Sequence, residues 1–569
     1  MKNKIKTLLV ATVILFATSC SGDWLDVNTD PNVPTTPHLG QLLTDSQMRL
    51  ANAFSHGAFI GNHLSGLTHH WVFREVMNND AWIPGMNNPQ NTWWSIYALM
   101  LPGLQTIIDV AIEEDKVLYA GIAKTLKAFA FSKVVDLWGD VPFSEANNPY
   151  ITAPRADRSA DIYNALFVLL DEAMAHFNND DAENAITPGR DDVFFGGDID
   201  RWKQVNNTIQ LRMLLNSRNA RSEITGWQTR LTALMAADNF MEQGGDLDWW
   251  HTPSASPDER SPLFVADWLG GQATRWISPF FYEMVMGLTY NNVNNPFVGI
   301  VDPRVPYFIF RPMRPGEEDD EESTHSYLHG TFLSIFFADI GSNVGANQHT
   351  RQARVGLYVT GGLFDDGRGR INATGPPGIV AGNAIMTNGG MAPLRLLSYH
   401  SLQFMLAELA LVGAISGDPR AFLQAGLEAS IFHVNMVADR HSAPLITSEA
   451  RDAFVNQVLM AYDGATTDEG RMEVIMTQKW IANFGSAVEA YTDIRRTGFP
   501  VLFNPANTQV PGWGFNPIYT ERSPRNAPIQ AITPFPRSLY YPGNTETGLN
   551  PNLPQRTNLA VPFIFWDRQ

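Results

Sequence analysis

LYAGIAKTLKAFAFSKVVDLWGDVP, residues 118–142, reads as a long helix and its end. Ile122, Leu126, Phe129, Ala130, Val134, Leu137 and Trp138 recur at steps of three and four residues, so one apolar stripe is expected along one helical face. Gly139 stops the helix and Pro142 keeps it from resuming. Ile162 to Phe177, behind Asp161, repeats the amphipathic pattern.

Further out, Ser401 to Asn435 holds two helical runs separated by Ser416-Gly417-Asp418-Pro419. Two helices of about 16 residues, with Ala407, Ala410, Ala425 and Ala429 where they approach, match a tetratricopeptide-type hairpin or a generic helical one. Between about 241 and 394 the periodicity fails and Gly, Pro, Asn and aromatics take over, which predicts a loop-rich lobe on a helical frame. The frame covers about 40–240 and 395–500. Twelve prolines between Pro500 and Pro562 exclude a long helix there, so residues 501–569 are expected to wrap over the frame.

A chain of 569 residues with 44% hydrophobic and 17% charged residues folds rather than staying disordered. Its net charge of −18 has the wrong sign for a protein that neutralises phosphates, so nucleic acid is excluded as the main partner. Fifteen tryptophans exceed ordinary packing needs and point to interfaces or flat apolar ligands. The single cysteine, Cys20, excludes internal disulfides and cysteine-ligated zinc. Lys2, Lys4 and Lys6, the apolar run Leu8 to Phe16, and Ala17-Thr18-Ser19 before Cys20 form a cleaved signal over residues 1–19. The thiol behind it resembles the acylation site of a bacterial lipoprotein, with palmitate among its chains and residues 20–39 as a lipidated tether.

The tether Asp26-Val27-Asn28-Thr29-Asp30-Pro31-Asn32 and the helix end Asp136-Leu137-Trp138-Gly139-Asp140-Val141-Pro142-Phe143 together resemble the SusD/RagB family of nutrient-uptake lipoproteins. Lys479-Trp480-Ile481-Ala482, Glu489-Ala490-Tyr491 and Arg495-Arg496-Thr497-Gly498-Phe499-Pro500 resemble its C-terminal helix. Pro536-Arg537, Tyr541-Pro542, Glu546 and Asn550 resemble its closing motif. The resemblance implies a mainly α fold, a SusD-like helical scaffold with tetratricopeptide-like hairpins, forming one domain over residues 40–569. It also implies lipid anchoring at the surface of the outer membrane, a TonB-dependent transporter of the SusC type as partner, and an oligosaccharide as ligand. Some relatives take up peptides instead. Neither catalysis nor a cofactor is implied.

Sugar rings present flat C–H faces fringed by hydroxyls, so a binding loop needs indole or phenol planes beside amides. Trp82 and Asn87 in the segment Asn78 to Trp94 fit, as do Trp268, Trp276 and Tyr290 around Gly270-Gly271. Trp93 and Trp94, at the start of the next helix, are expected in the core. No metal site is expected: Pro31 and Pro37 spoil the calcium-loop pattern opened by Asp26, and His63, His69 and His70 lack a zinc motif. The acidic run Glu317 to Glu322 reads as a solvated loop. No Gly-Lys pair or Gly-x-Ser-x-Gly occurs, which leaves a glycoside hydrolase with dispersed carboxylates as the enzymatic alternative and an adhesive lipoprotein as the structural one.

Overall fold

The computed structural model describes residues 38–55, 59–73, 88–254, 256, 258–269, 275–289, 294–317, 326–335, 351–369, 389–502, 535–558 and 560–568. The expected signal, the expected tether up to residue 37 with Cys20, and residues Trp82, Asn87, Tyr290 and Glu318 to Glu322 lie outside them.

Helices dominate. The first half runs α1 (Leu39–Ala53), α2 (Ile60–Leu67), α3 (Asn88–Trp94), α4 (Leu101–Glu113), α5 (Val117–Trp138), α6 (Ser159–Phe177), α7 (Ile199–Asn216) and α8 (Trp227–Ala237). The second runs α9 (Pro279–Val285), α10 (Tyr399–Leu411), α11 (Pro419–Arg440), α12 (Ser448–Gly464), α13 (Asp468–Ala482) and α14 (Ala487–Thr497). Their starts are chemically marked. Asp198, Asp418, Thr447 and Thr467 each accept a backbone N–H of the first turn of α7, α11, α12 and α13, and Pro419 occupies the position where a missing N–H costs nothing.

The expected stripe on α5 is corrected to burial on every side: of its 22 residues, only Leu118 and Lys127 are not buried. Lys124, Lys133 and Asp136 go inside because carboxylates and guanidinium groups from α6, α7 and α14 meet them there. Gly139 ends α5 at φ +74°, and a Cβ there would sit 2.1 Å from the Phe563 carbonyl oxygen. The same glycine thus ends the helix and admits the C-terminal segment against it. Leu539 N–H bonds the Leu137 carbonyl at 2.9 Å, and the Trp566 indole donates to Asp136 at 3.0 Å.

The hairpin α10–α11 has helices of 13 and 22 residues rather than two equal ones. The two helices pack closely at Gly426, whose added Cβ would lie 3.1 Å from the Phe404 ring. One core gathers α1 to α8 with Leu539, Tyr541 and Trp566; a second gathers α9 and α11 to α13, and α10 and α14 contribute to both. Phe308, Tyr327, Phe332 and Tyr358 from the loop-rich region belong to that second core, so the lobe shares the interior of the C-terminal hairpins.

Its strands are short and pair antiparallel in twos: β1 (Trp71–Phe73) with β3 (Arg275–Ile277), β2 (Leu247–Trp250) with β8 (Pro393–Leu397), β4 (Ile309–Phe310) with β7 (Arg354–Val355), and β5 (Ser326–His329) with β6 (Phe332–Ile335). The helical run Gln90–Glu113 is long and apolar enough to cross a membrane by length and composition. In this fold its Leu101, Leu104, Ile107, Ile108 and Ala111 pack into the first core.

Candidate functional site

Twelve tryptophans fall among the described residues, and nine of them are buried. Trp249 and Trp250 are half-buried, and Trp94 alone of the twelve is exposed, at 58%.

Its position follows from the local backbone. Pro89 suits the first turn of α3. Thr92 accepts the Ile60 N–H at 3.0 Å and donates to the Ala53 carbonyl at 2.8 Å, which fixes α3 against α1 and α2. Trp93 faces inward, stacked on Tyr97 at 4.5 Å and edge-on to Trp138 and Tyr541 at 5.5 and 5.8 Å. One residue further round, the helix turns about 100° and Trp94 faces out. The next turn, Ser95–Met100, is π-helical, closed by a five-residue bond from the Leu101 N–H to the Ile96 carbonyl. Pro102 has no N–H for the ordinary ladder, which gives a physical reason for the wide turn. Asn91 and Ala98 are both exposed. They flank Trp94 at three and four residues, so an amide stands on one side of the indole and a small side chain on the other.

The expectation that Trp94 belongs to the core is therefore corrected, and so are Trp268 and Trp276 as open platforms. Trp268 is fully buried between Phe310, at 5.3 Å, and the Thr360 hydroxyl, which accepts its N–H at 3.0 Å. Gly362 lies so close that a Cβ would approach the indole to 2.3 Å. Here glycine lets backbone cover the ring rather than leave it open. Trp276 lies on β3 opposite Val72 of β1 and is also fully buried. The structure brings none of the predicted site residues together among those it describes.

A second feature escaped sequence reasoning. β2 and β8 meet both cores through Leu247, Trp249 and Leu394 on the first and Trp250 on the second. The Arg440 guanidinium lies over the Trp250 ring at 3.5 Å, and Trp249 contacts His251 at 5.0 Å. Burial lowers the His251 pKa to about 4, so this ring is neutral at pH 7. Beside β8 lies a small cleft of about 10 Å³, room for one water, with Ser55, Leu263, Val359, Leu394, Arg395 and Gly485 in its wall. The adjacent Trp249-Trp250 pair was the one available sequence signal. Ser55 and Arg395 carry none, because 340 positions separate them. Among the described residues, no group of three or more His, Cys, Asp or Glu side chains is placed to hold a metal ion.

A SusD-like family model, described as "Starch-binding associating with outer membrane", matches residues 31–512. Among solved structures, one described as a chitin-binding protein is 20% identical with a TM-score of 0.61, over 94% of this chain and 100% of its own. A SusD homologue from Bacteroides fragilis is 20% identical with a TM-score of 0.60, over 90% and 94%. One from Bacteroides uniformis is 18% identical with a TM-score of 0.62, over 93% and 99%. At these identities the structures establish the fold. No curated protein matches this chain in sequence.

Proposed function

The chain belongs to the SusD-like family of starch-binding, outer-membrane-associated proteins, and from that premise we propose that it is a non-catalytic surface receptor for oligosaccharide. In this reading Cys20 carries the lipid anchor, and the receptor hands its cargo to a TonB-dependent transporter of the SusC type. The observation that supports capture is Trp94, 58% exposed on a helix that Trp93 and Thr92 hold rigidly. A helix held in this way keeps the indole turned outward, where its face can stack on a sugar ring. Trp82, Asn87 and Tyr290 remain proposed contributors. Asn87 immediately precedes α3 in sequence, and Trp82 lies six residues before it.

Tethering beside a transporter raises the effective concentration of the site, so weak platforms of about 1–3 kcal/mol each, as for bases stacked on aromatic side chains, suffice and permit release. Affinity electrophoresis in gels containing starch, soluble chitin or other polysaccharides tests this. Trp94→Ala is expected to lose retention while keeping the wild-type melting temperature, because the exposed indole contributes little to packing. Unchanged retention by that variant would remove Trp94 from the site. Shortened products formed by the pure protein from labelled oligosaccharides would replace the receptor with a hydrolase.

A further inference from the structure

We propose that Tyr150, at the tip of the loop 143–157, is a second stacking platform, for a neutral polysaccharide. This deepens the receptor reading and rests on it.

The loop leaves the end of α5 and is tied back to it. The Asp157 N–H bonds the Val141 carbonyl at 3.0 Å. The Asp157 carboxylate accepts from the Phe143 and Ser144 N–H groups at 3.0 and 2.7 Å and from the Ser144 hydroxyl at 2.8 Å. Glu145 clamps Arg155 by its backbone N–H at 2.8 Å and its guanidinium at 2.6 and 2.9 Å. From the C-terminal segment, Asn550 and Asn552 donate to the Pro154 and Ala153 carbonyls at 2.8 and 2.6 Å. A loop tied at so many points has little ordering left to lose when it binds.

The tip is turned by Asn148, whose side-chain oxygen accepts the Tyr150 N–H at 3.0 Å while its carbonyl accepts the Ile151 N–H at 3.0 Å. Tyr150 is left 93% exposed. At that exposure the ring packs on almost nothing, so the braced backbone beneath it presents the phenol rather than buries it.

The surroundings of the ring select the ligand. Residues 146–154, Ala-Asn-Asn-Pro-Tyr-Ile-Thr-Ala-Pro, carry no charge in a chain of net −18. Asn147, Asn148 and the Asn552 that bonds Ala153 are exposed. A flat ring among neutral amides matches the C–H face and hydroxyl fringe of an uncharged sugar. One ring offers about 150–250 Å² and the exposed Leu549 adds little, against about 800 Å² for one side of a stable protein interface. The loop is also continuous with the support of Trp94. Tyr97, three residues beyond Trp94, donates to the Pro142 carbonyl at 2.8 Å, and Phe143 packs edge-on to Phe131 of α5 at 4.8 Å. A polysaccharide held at Trp94 therefore meets Tyr150 as an intramolecular partner, which raises retention without a stronger contact at either ring.

Affinity electrophoresis of the full chain in gels of starch, soluble chitin and xylan tests this. On the gel that retains wild type, Tyr150→Ala is expected to weaken retention at least about fivefold. Its melting temperature should stay at the wild-type value, because the ring is exposed and the turn uses only the backbone N–H of residue 150. Tyr150→Phe keeps the plane and should retain within about twofold of wild type. Unchanged retention by Tyr150→Ala would overturn the inference and leave the ring to a protein partner, and loss in Tyr150→Phe as large as in Tyr150→Ala would overturn stacking. Loss in Trp94→Ala beside unchanged Tyr150→Ala would reject this inference alone and keep the receptor reading. Absence of wild-type retention on all three gels would remove neutral polysaccharide as the cargo, and this inference with it.

Discussion

Replacing Glu408 with Gln tests whether buried charge ties the helices together. Glu408, on α10, is fully buried. It accepts from both terminal nitrogens of Arg496, the Nη2 bond being 2.6 Å, and from Arg218 Nε at 2.9 Å. Arg496 also pairs with Asp493 at 2.8 Å, and Asp493 with Lys479 at 2.8 Å. One carboxylate thus links α10, the turn after α7, α13 and α14. Burial pushes its pKa up, but the charge and hydrogen bonds of Arg496, then Arg218 and Lys479, prevail and hold it at about 2 against 4.5. At about 1.4 kcal/mol per tenfold change in proton affinity, that displacement corresponds to about 3 kcal/mol. Because the folded pKa is depressed, this stability is present in full above pH 4.5 and is lost as pH falls toward 2. Urea unfolding of wild type and Glu408→Gln should therefore show a gap of about 3 kcal/mol at pH 7, narrowing by about 2 kcal/mol at pH 3. A gap below about 1 kcal/mol at pH 7, or one of equal size at both pH values, would refute the reasoning.

Three other substitutions probe the frame. Asp192 is 2% exposed and accepts from Gln47 at 2.7 Å, Trp202 at 2.8 Å and the Gly197 N–H at 3.0 Å. Asp192→Ala should cost about 3 kcal/mol or more by orphaning those donors, and denaturant midpoints check it. The Tyr163 hydroxyl donates to Asp136 at 2.5 Å, and burial and that carboxylate push its pKa well above the usual value. Tyr163→Phe should cost about 1–2 kcal/mol and leave glycan retention unchanged. Gly139→Ala combines a left-handed backbone with a contact of 2.1 Å to Phe563. It should lower the melting temperature and open the segment after residue 535 to limited proteolysis, and unchanged cleavage would argue against that packing.

The period of α5 was legible because steps of three and four residues survive full burial. Its all-round burial was not, since the partners of Lys133 and Asp136 are Glu489 and Arg212, far along the chain. The motifs that carry the family resemblance prove to be this same network. Lys479 pairs with Asp493, Glu489 with Lys133 and Arg212, Arg496 with Glu408, and Arg537 with Asp567. Arg495 bonds the Asp136 carbonyl at 2.5 Å. Such residues identify the frame and say little about cargo. Trp268 and Trp276 misled because a glycine beside an indole marks an open loop and a close backbone approach equally well. Trp94 was missed because the outward turn depends on which neighbour anchors α3, and Trp93 looks identical in sequence.

That pattern also changes what the tryptophan surplus means. Trp71, Trp138, Trp202, Trp480 and Trp566 are buried, and Trp71, Trp138, Trp202 and Trp480 donate their indole N–H to backbone carbonyls or to Asp192. Trp566 donates to Asp136. Trp138, Trp480 and Trp566 thus stiffen junctions between segments distant in sequence, and Trp71 and Trp202 fix turns nine and ten residues back along the chain. Composition therefore reports on the frame, whereas in the proposed reading recognition rests on what the frame leaves outward, above all the exposed indole of Trp94. A site with so few anchors gains affinity through rigidity rather than number. Loosening α3 at Thr92 should weaken capture even with every contact residue in place. Thr92→Val keeps the side-chain shape but removes the bonds to Ile60 and Ala53. It is expected to lower retention with Trp94 intact. Full retention by a Thr92→Val protein whose α3 amides exchange faster would show that a fixed indole is not what capture requires.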